Sequence, residues 1–351
     1  MTMRMRKLGR TDIDVSVCCL GTMTYGQQNT EQEGHAQMDY ALERGINFFD
    51  TAELYSIPPM AETYGNTEQV IGSWFKKNGN RDKVVLASKI TGRSSVINWM
   101  RGEKPVLTRI VKEQIDQAVE QSLQRLQTDY IDLYQLHWPD RKAAIFGEKM
   151  SESDWQAERE TFDAQLNALE EHVQKGNIRH LGLSNESPYG VMKFLQASEK
   201  GGTSRVASIQ NAFNLLNREF ETALEEVCRY EDVSLLAYSP LAQGVLTGKY
   251  RDGALPIGSR KQLFNRLQRY EGPIAEKALN AYLDLALELE VDPTQLAIRF
   301  CDTRPYMGST IIGSTTMEQL KICIDAFDLE WSEVMEDCVN AIHQVQPNPC
   351  P

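Results

Sequence analysis

Four polar residues stand at or just beyond the ends of apolar segments that have the length of β-strands. They are Asp50 in NFFDTAELY, Tyr55 five residues later, Lys89 closing VVLASK and His137 closing IDLYQLH. Each has an ordinary structural explanation when taken singly, since an Asp after a strand often caps a helix and a His there is usually packed and hydrogen-bonded. Where several strands converge, however, the four side chains would meet in one site.

Together these residues have the types needed to deliver a proton. A phenol, with a pKa of about 10, is a weak acid unless a neighbouring cation favours its anion. Lys89 can supply that cation to Tyr55, and Asp50 can hold the charge on a lysine that burial would otherwise neutralise. His137 can orient a substrate oxygen. No nucleophile stands beside a base, so the set predicts hydride addition to a carbonyl, with Tyr55 as proton donor and a nicotinamide as hydride source.

Eight apolar segments alternate with eight segments of helical period, after an N-terminal stretch that could form a hairpin. The strands are predicted at 17–22, 47–51, 84–88, 131–137, 178–184, 207–211, 234–239 and 310–313. The helices are predicted at 31–44, 67–78, 109–125, 161–175, 188–200, 218–230, 272–290 and 317–327. This alternation is typical of α/β proteins, and the near-continuous apolar strands favour a closed (β/α)8 TIM barrel spanning residues 1–351 as a single domain.

An open, doubly wound sheet would show the same alternation, because periodicity does not reveal closure. The chain has no G-x-G pair, so it lacks the glycine-rich turn that binds a dinucleotide in that fold. The segment GVLTGK at 244–249 is one residue short of a P-loop and is followed by Tyr250 instead of Ser or Thr. These absences favour the barrel and disfavour a nucleoside triphosphatase.

Three predicted connections, 91–108, 138–160 and 240–271, are long for a barrel. Each follows a strand, which places it on the C-terminal face, where barrel enzymes keep their active sites. Trp99, Trp138 and Trp155 lie on these loops and either line an organic substrate pocket or pack the loops onto the body. We expect Trp99 and Trp138, together with Tyr25, to form the substrate pocket.

The composition limits the classes of partner. A formal net charge of −12 disfavours binding to nucleic acid or to anionic membranes, since both require a cationic surface. No apolar run approaches the length of a membrane helix, so the expected location is the cytoplasm. The seven cysteines form no C-x-x-C pair and the five histidines show no metal-binding spacing, so no metal is expected. The oligomeric state is left open.

Several longer segments resemble signatures of the aldo-keto reductase family, and in particular its bacterial Tas-type branch, which is related to potassium-channel β-subunits. They are LGTMTYG at 20–26, FFDTAELY, RLQTDYIDLYQLHWPD, GLSNES at 182–187, IQNAFNLLNR, LLAYSPLAQGVLTGKY and IIGSTTMEQL. These segments span almost the whole chain in the family's order. The resemblance implies that Asp50, Tyr55, Lys89 and His137 form the family's catalytic tetrad.

The same resemblance implies a set of residues that bind NADPH or NADP+. Tyr238 matches the aromatic on which the nicotinamide stacks, while Ser184, Asn185 and Gln210 match the residues that bind its carboxamide. The positions matching the rest of the cofactor site are Gly21, Thr22, Met23, Ser239, Pro240, Leu241, Gln243, Gly244, Lys249, Arg260, Gly313, Ser314, Thr315 and Gln319. A helix that begins near Thr315 would direct its positive N-terminus at the 2′-phosphate, which favours NADPH over NADH.

The chain departs from the family pattern at two places. Ile322 and Cys323 stand where the family has an acid and an Asn near the adenine. The insertion SIPPMAE after Tyr55 makes Tyr64 a rival for the role of proton donor, although the spacing from Asp50 favours Tyr55. A small-molecule carbonyl is the expected substrate. A nicotinamide-binding sensor or auxiliary subunit, and a phosphate-binding barrel isomerase or lyase, are alternative functions.

Overall fold

Eight parallel strands pair edge to edge until the last meets the first, which closes a barrel. The computed structural model describes residues 3–102, 105–145, 149–265 and 267–351. A two-stranded antiparallel hairpin, β1 (Met5–Lys7) and β2 (Asp14–Ser16), precedes the barrel. The barrel strands are β3 (Cys18–Gly21), β4 (Phe48–Asp50), β5 (Val85–Ile90), β6 (Ile131–Leu136), β7 (Ile178–Ser184), β8 (Val206–Ala212), β9 (Ser234–Tyr238) and β10 (Met307–Ile312). The predicted (β/α)8 barrel with an N-terminal hairpin is therefore confirmed.

The barrel interior is filled by alternate side chains of the strands. Phe48, Leu133 and Leu236 belong to one inner cluster, which the hairpin residues Leu8 and Val15 close from below. Because successive side chains of a strand point to opposite faces, every second residue faces this interior and the others face the helices. All six residues of β6 are buried, as are those of β10, which explains why these strands lack an apolar and polar alternation.

Helices surround the barrel. They are α1 (Glu31–Glu43), α2 (Asn66–Asn78), α3 (Lys112–Leu126), α4 (Phe162–Gln174), α5 (Pro188–Gly201), α6 (Leu224–Glu231), α7 (Arg260–Phe264), α8 (Pro273–Glu288), α9 (Pro293–Asp302), α10 (Met317–Asp325) and α11 (Glu333–Val345). Most begin with a capping residue; in α1, Thr30 and Glu33 form a reciprocal capping box. None of the helices within the described ranges is long and apolar enough to span a membrane.

The C-terminal third contains more helix than the sequence pattern predicts. Three helices, α7, α9 and α11, lie outside all the predicted segments. Before them in the chain, a single turn of 3₁₀-helix precedes α6 within the segment predicted as 218–230. A local signal for α9 exists: the Asp292 carboxylate caps the backbone N–H groups of Thr294 and Gln295, and proline occupies the first turn. Assigning one helix to each strand overlooked it.

Candidate active site

The Lys89 side chain, near the end of β5, is fully buried and makes three contacts. Its Nζ donates to Asp50 Oδ2 at 2.7 Å, to the Thr51 carbonyl oxygen at 2.8 Å and to the Tyr55 hydroxyl at 3.2 Å. Three of the four residues predicted from the strand ends are thus in direct hydrogen-bond contact.

Strand register explains this meeting. Asp50 ends β4 and pairs with Ala87 of β5. Lys89 follows Ala87 by two residues on β5, so the side chains of Asp50 and Lys89 point to the same side of the sheet. After β4 the chain turns, with the Tyr55 N–H donating to the Ala52 carbonyl oxygen at 3.1 Å, and this turn brings the phenol back over the barrel mouth.

The second oxygen of Asp50 is held by two amides. Asp50 Oδ1 accepts from Gln210 Nε2 at 2.8 Å and from Gln135 Nε2 at 3.2 Å. Gln210 was expected at the nicotinamide carboxamide, and its amide nitrogen contacts Asp50. Gln135 was not predicted; its signal was an amide within an otherwise largely apolar strand, at a position that faces the interior. The two glutamines orient the carboxylate that contacts Lys89.

Electrostatics keep the lysine charged and the tyrosine protonated. Burial acts to lower the pKa of Lys89, but the Asp50 carboxylate and Tyr55 outweigh it, so the pKa lies above that of a free lysine. Burial raises the pKa of the Tyr55 phenol, and the attraction of Lys89 offsets only part of this effect. The tyrosine therefore holds a proton at neutral pH beside a fixed positive charge.

His137 lies across the mouth from the phenol. Its ring packs edge-on against Tyr55, with 5.6 Å between ring centroids, and lies tilted against Trp138, with 5.0 Å between centroids. Burial, together with the charge on Lys89, lowers the pKa of His137 well below its usual range, so the ring is neutral. Its Nδ1 is buried and has no hydrogen-bond partner among the described residues. A neutral imidazole can donate one hydrogen bond to a bound oxygen.

Tyr64, the rival tyrosine, lies elsewhere. Its hydroxyl contacts Gln121 Oε1 at 2.9 Å and Arg125 Nη1 at 3.2 Å, both on α3. The structure therefore brings Tyr55, and not Tyr64, to Lys89.

The residues predicted at the nicotinamide end form a connected group. The Tyr238 hydroxyl donates to Asn185 Oδ1 at 2.7 Å, and Asn185 Nδ2 donates to the His137 carbonyl oxygen at 2.9 Å and to Ser184 Oγ at 3.1 Å. Thr22 Oγ1 donates to the Asp50 carbonyl oxygen at 2.8 Å, and the Met23 carbonyl accepts from Ile57 N–H at 3.0 Å. These contacts place the group beside the Asp50, Tyr55 and Lys89 cluster.

The loop after β9 begins with a tight turn in which several residues have a positive φ. Ser239, Ala242 and Gln243 all have a positive φ, as does Gly244 with φ 91°. A Cβ added to Gly244 would lie 2.9 Å from Lys249 Nζ, so the glycine leaves room for the ammonium group beside the loop. Gln243 Oε1 is buried without a partner in the described structure. Turns of this kind can present free backbone N–H groups to a phosphate. Within this one, the N–H groups of Ala242 and Gly244 donate to the Ser239 and Leu241 carbonyl oxygens.

The remaining cofactor positions lie at the ends of β3 and β10 and on the loop after β9. Gly21 packs so closely on β10 that an added Cβ would lie 2.8 Å from Ile311. Thr315 N–H donates to Gln319 Oε1 at 3.0 Å, at the N-terminus of α10. The others are Ser314, buried beside Gln37; Gly313, exposed; Pro240, buried; Leu241, packed on the core; and Arg260, the first residue of α7. Cys323 is buried in the core and Ile322 is exposed.

One of the three aromatic residues predicted to line the substrate pocket does not face the barrel mouth. Tyr25 is fully buried and its hydroxyl donates to Gln37 Oε1 of α1 at 3.0 Å, so it faces the helix layer and not the barrel mouth. Trp138 lies against His137, with its indole N–H donating to the Arg93 carbonyl oxygen at 2.8 Å. Trp99 is partly buried and packs edge-on against Tyr64.

A buried ion pair between Glu53 and Arg101 joins the segments that carry Tyr55 and Lys89. The sequence pattern did not reveal this pair. Glu53 N–H donates to the Lys89 carbonyl oxygen at 3.2 Å, and Glu53 Oε1 accepts from Thr91 N–H at 2.7 Å. Arg101, from the loop after β5, pairs with the same carboxylate oxygen at 2.5 Å. Forty-eight residues separate the partners, so only the path of the loop could reveal the contact.

A family model and several known proteins match this chain over most of its length. The family model described as "Aldo/keto reductase family" matches residues 18–344. The chain is 44% identical over 349 residues to Protein tas of Escherichia coli K12, covering 99% of this chain and all of that protein. It is 32% identical to the uncharacterized oxidoreductase YrpG of Bacillus subtilis 168, covering 97% and 95% of the two chains. A probable voltage-gated potassium channel subunit beta of Arabidopsis thaliana is 27% identical, covering 93% and 92%.

The predicted resemblance to the Tas-type branch is thus confirmed. Because the match runs through the whole barrel, from β3 to β10, and does not rest on one motif, the chain belongs to the aldo/keto reductase family.

Proposed function

We propose that this protein is an NADPH-dependent oxidoreductase that reduces an aldehyde or ketone to an alcohol, with Tyr55 as the proton donor. The observation that carries the proposal is the contact between the Tyr55 hydroxyl and the buried, carboxylate-paired ammonium of Lys89. Among the residue types at the barrel mouth, a phenol held beside a fixed cation suits the protonation of an oxygen that becomes negative.

Each residue of the cluster has a separate task. Lys89 Nζ donates to the Tyr55 oxygen, so the phenol's own proton is free to pass to a substrate oxygen. As that proton leaves, the Lys89 charge stabilises the phenolate, and Asp50 keeps the lysine protonated. The neutral His137 ring orients the carbonyl oxygen by a hydrogen bond. Trp138, which packs against His137, restricts the access of water to this part of the mouth.

The chain has a suitable set of residues for the nicotinamide dinucleotide, which when bound supplies the hydride. Tyr238, Ser184 and Asn185 would hold the nicotinamide, and the turn at Gly244 with Lys249 would hold the pyrophosphate. The close approach of the Lys249 ammonium group to Gly244 and the unpartnered Gln243 Oε1 support this assignment. The N-terminus of α10, at Thr315, would attract the 2′-phosphate of NADPH.

Substituting Gly244 by alanine tests the pyrophosphate assignment. The new methyl group would displace the Lys249 ammonium and strain a residue with φ 91°, so we expect the Kd for NADPH to rise about tenfold. Gly253→Ala is the matched control, because φ is 76° there and no atom lies within 4 Å of an added Cβ. Fluorescence titration of both variants measures the effect; equal Kd values for the two would contradict the assignment.

The function is tested by following NADPH oxidation against aldehydes, quinones, sugars and oxo acids, with NADH in parallel. We expect turnover of at least one carbonyl class and a preference for NADPH. Tight NADPH binding without turnover of any carbonyl would instead indicate a sensor or auxiliary subunit. A protein that gains no thermal stability from NADPH would overturn the cofactor assignment, since a ligand that binds only the folded state must raise Tm.

A further inference from the structure

The Glu53 carboxylate extends the hydrogen-bond ladder between β4 and β5 beyond the point where β4 ends. After β4 the chain still runs beside β5, and Thr51 N–H donates to the Ala87 carbonyl oxygen at 2.9 Å. Glu53 N–H then donates to the Lys89 carbonyl oxygen at 3.2 Å. The next bond of the ladder comes from Thr91 N–H, and a side-chain oxygen, Glu53 Oε1, accepts it at 2.7 Å. The carboxylate thus replaces a backbone acceptor where the chain has turned away.

The end of β5 that this bond fixes also adjoins His137. The N–H group of His137 donates to the carbonyl oxygen of Ile90, the last residue of β5, at 2.9 Å. Gly92 packs so closely on the next residue of the β6 segment that an added Cβ would lie 2.1 Å from the Trp138 carbonyl oxygen. Because backbone packed this closely cannot shift alone, a displacement of residues 90–92 would also move the imidazole.

The Glu53 carboxylate depends on one guanidinium group. Within the described ranges, Arg101 is the cation that pairs with it, and the two side chains are 0% and 2% exposed. Arg101 Nη2 donates to Glu53 Oε1, whereas Glu53 Oε2 and Arg101 Nε are buried without a hydrogen-bond partner in the described structure. A buried carboxylate that loses its cation must take up a proton, draw in water or leave its position.

A second buried ion pair has the same chemistry but a different position. The Glu68 carboxylate on α2 is fully buried, pairs with Arg125 of α3 at 2.7 Å and accepts from Ser88 Oγ at 2.5 Å. Ser88 precedes Lys89, and successive side chains of a strand point to opposite faces, so this pair lies on the helix side of β5. Of the two pairs, it is the one at Glu53 that contacts the strand ends at the barrel mouth.

We propose that Glu53 and Arg101 are positioning residues for proton transfer. The carboxylate holds the turn that leads to Tyr55 against the end of β5, and Arg101 keeps the carboxylate in its place. This inference rests on the proposed carbonyl reductase function and deepens it. The Tyr55 hydroxyl and the Lys89 ammonium group meet at 3.2 Å, and these two groups lie on the two segments that the carboxylate joins.

Arg101→Gln tests the role of the cation, with 4-nitrobenzaldehyde as the carbonyl probe. We expect kcat to fall about tenfold or more, since a displacement of roughly 1 Å in a catalytic group is enough for such a loss. The Kd for NADPH should change less than about twofold. The ratio of kcat in H2O to kcat in D2O should rise, because proton delivery by Tyr55 becomes the slow step. A preparation that had merely lost folded protein would show an unchanged ratio.

Two double variants test the hydrogen bond itself, and both lack the buried charge. Glu53→Gln combined with Arg101→Gln keeps an amide oxygen that can accept the Thr91 N–H without a cation, so kcat should return to within about threefold of the starting value. Glu53→Ala combined with Arg101→Gln removes the acceptor, and this variant should stay slow and keep the raised isotope ratio. This comparison decides the matter even where Arg101→Gln alone does not fold.

Arg125→Gln is the matched control, because it deprives the buried Glu68 carboxylate of its cation in the same way. It should lower Tm without changing kcat or the isotope ratio. The inference fails if Arg101→Gln keeps full kcat or loses it at an unchanged ratio, if the two double variants are equally fast, or if Arg125→Gln gives the same changes. Absence of turnover of every aldehyde by the unmodified protein would instead refute the proposed function, and the inference with it.

Discussion

Replacing Tyr55 by phenylalanine is expected to lower kcat for carbonyl reduction by about 10²- to 10⁴-fold, the usual contribution of a general acid. The substitution removes only the hydroxyl, and Lys89 keeps its contacts with Asp50 and the Thr51 carbonyl oxygen, so the folded structure should persist. The Kd for NADPH should stay unchanged. Steady-state kinetics and a fluorescence titration on the same preparation measure both quantities.

The control for this experiment is Tyr64, which lies on the other side of the insertion that follows Tyr55. Tyr64→Phe removes a hydroxyl that contacts Gln121 and Arg125, well away from Lys89, and should leave kcat within about threefold of the starting value. If Tyr64→Phe abolished turnover while Tyr55→Phe did not, the proton donor would be misassigned. The pair separates two tyrosines that sequence alignment alone leaves as rivals.

The positions of Asp50, Tyr55, Lys89 and His137 could be predicted because a closed parallel barrel brings the ends of its strands together. Strand ends are visible in the sequence as the points where apolar runs stop. The register that pairs Asp50 with Ala87 then follows from the fold, without detailed packing. For the same reason Gln135 could have been found: it is an amide in a buried strand, at a position facing the interior.

What the sequence pattern missed depends on the paths of loops and turns. Tyr25 stands in a motif near the barrel mouth, but the turn after β3 sends its ring under α1 to Gln37. The Glu53 and Arg101 pair could be found only by knowing where the loop after β5 returns to the barrel. Such contacts join residues far apart in the chain, and no periodicity encodes them.

Asp50→Asn is expected to make carbonyl reduction fail at high pH. In the native cluster the Asp50 carboxylate offsets the burial of Lys89 and holds the lysine pKa above its ordinary value. Without that carboxylate, burial dominates and the pKa of Lys89 falls. The rate should then decline as pH rises through the lowered pKa, because an uncharged lysine no longer stabilises the Tyr55 phenolate. As pH rises, kcat of Asp50→Asn should therefore begin to fall at a lower pH than kcat of the native protein.

The free energy of unfolding of Asp50→Asn should depend on pH in the opposite direction to the rate. A lysine whose folded pKa lies below its unfolded value binds fewer protons when folded, so the free energy of unfolding of Asp50→Asn should increase as pH rises towards the unfolded pKa. At neutral pH the variant should lose about 3–5 kcal/mol, the cost of breaking a buried ion pair. Urea denaturation at several pH values measures this.

Asp132→Asn distinguishes loss of the Lys89 charge from general destabilisation. Asp132 is also buried, but it pairs with Arg81 at 2.7 Å and Arg179 at 2.8 Å, and arginines do not titrate in this range. We expect this variant to lose stability without any alkaline shift in the rate profile. If both variants shifted the profile alike, or neither did, Asp50 would not act through the charge on Lys89. Of the cations paired with these two carboxylates, only Lys89 can lose a proton in this pH range.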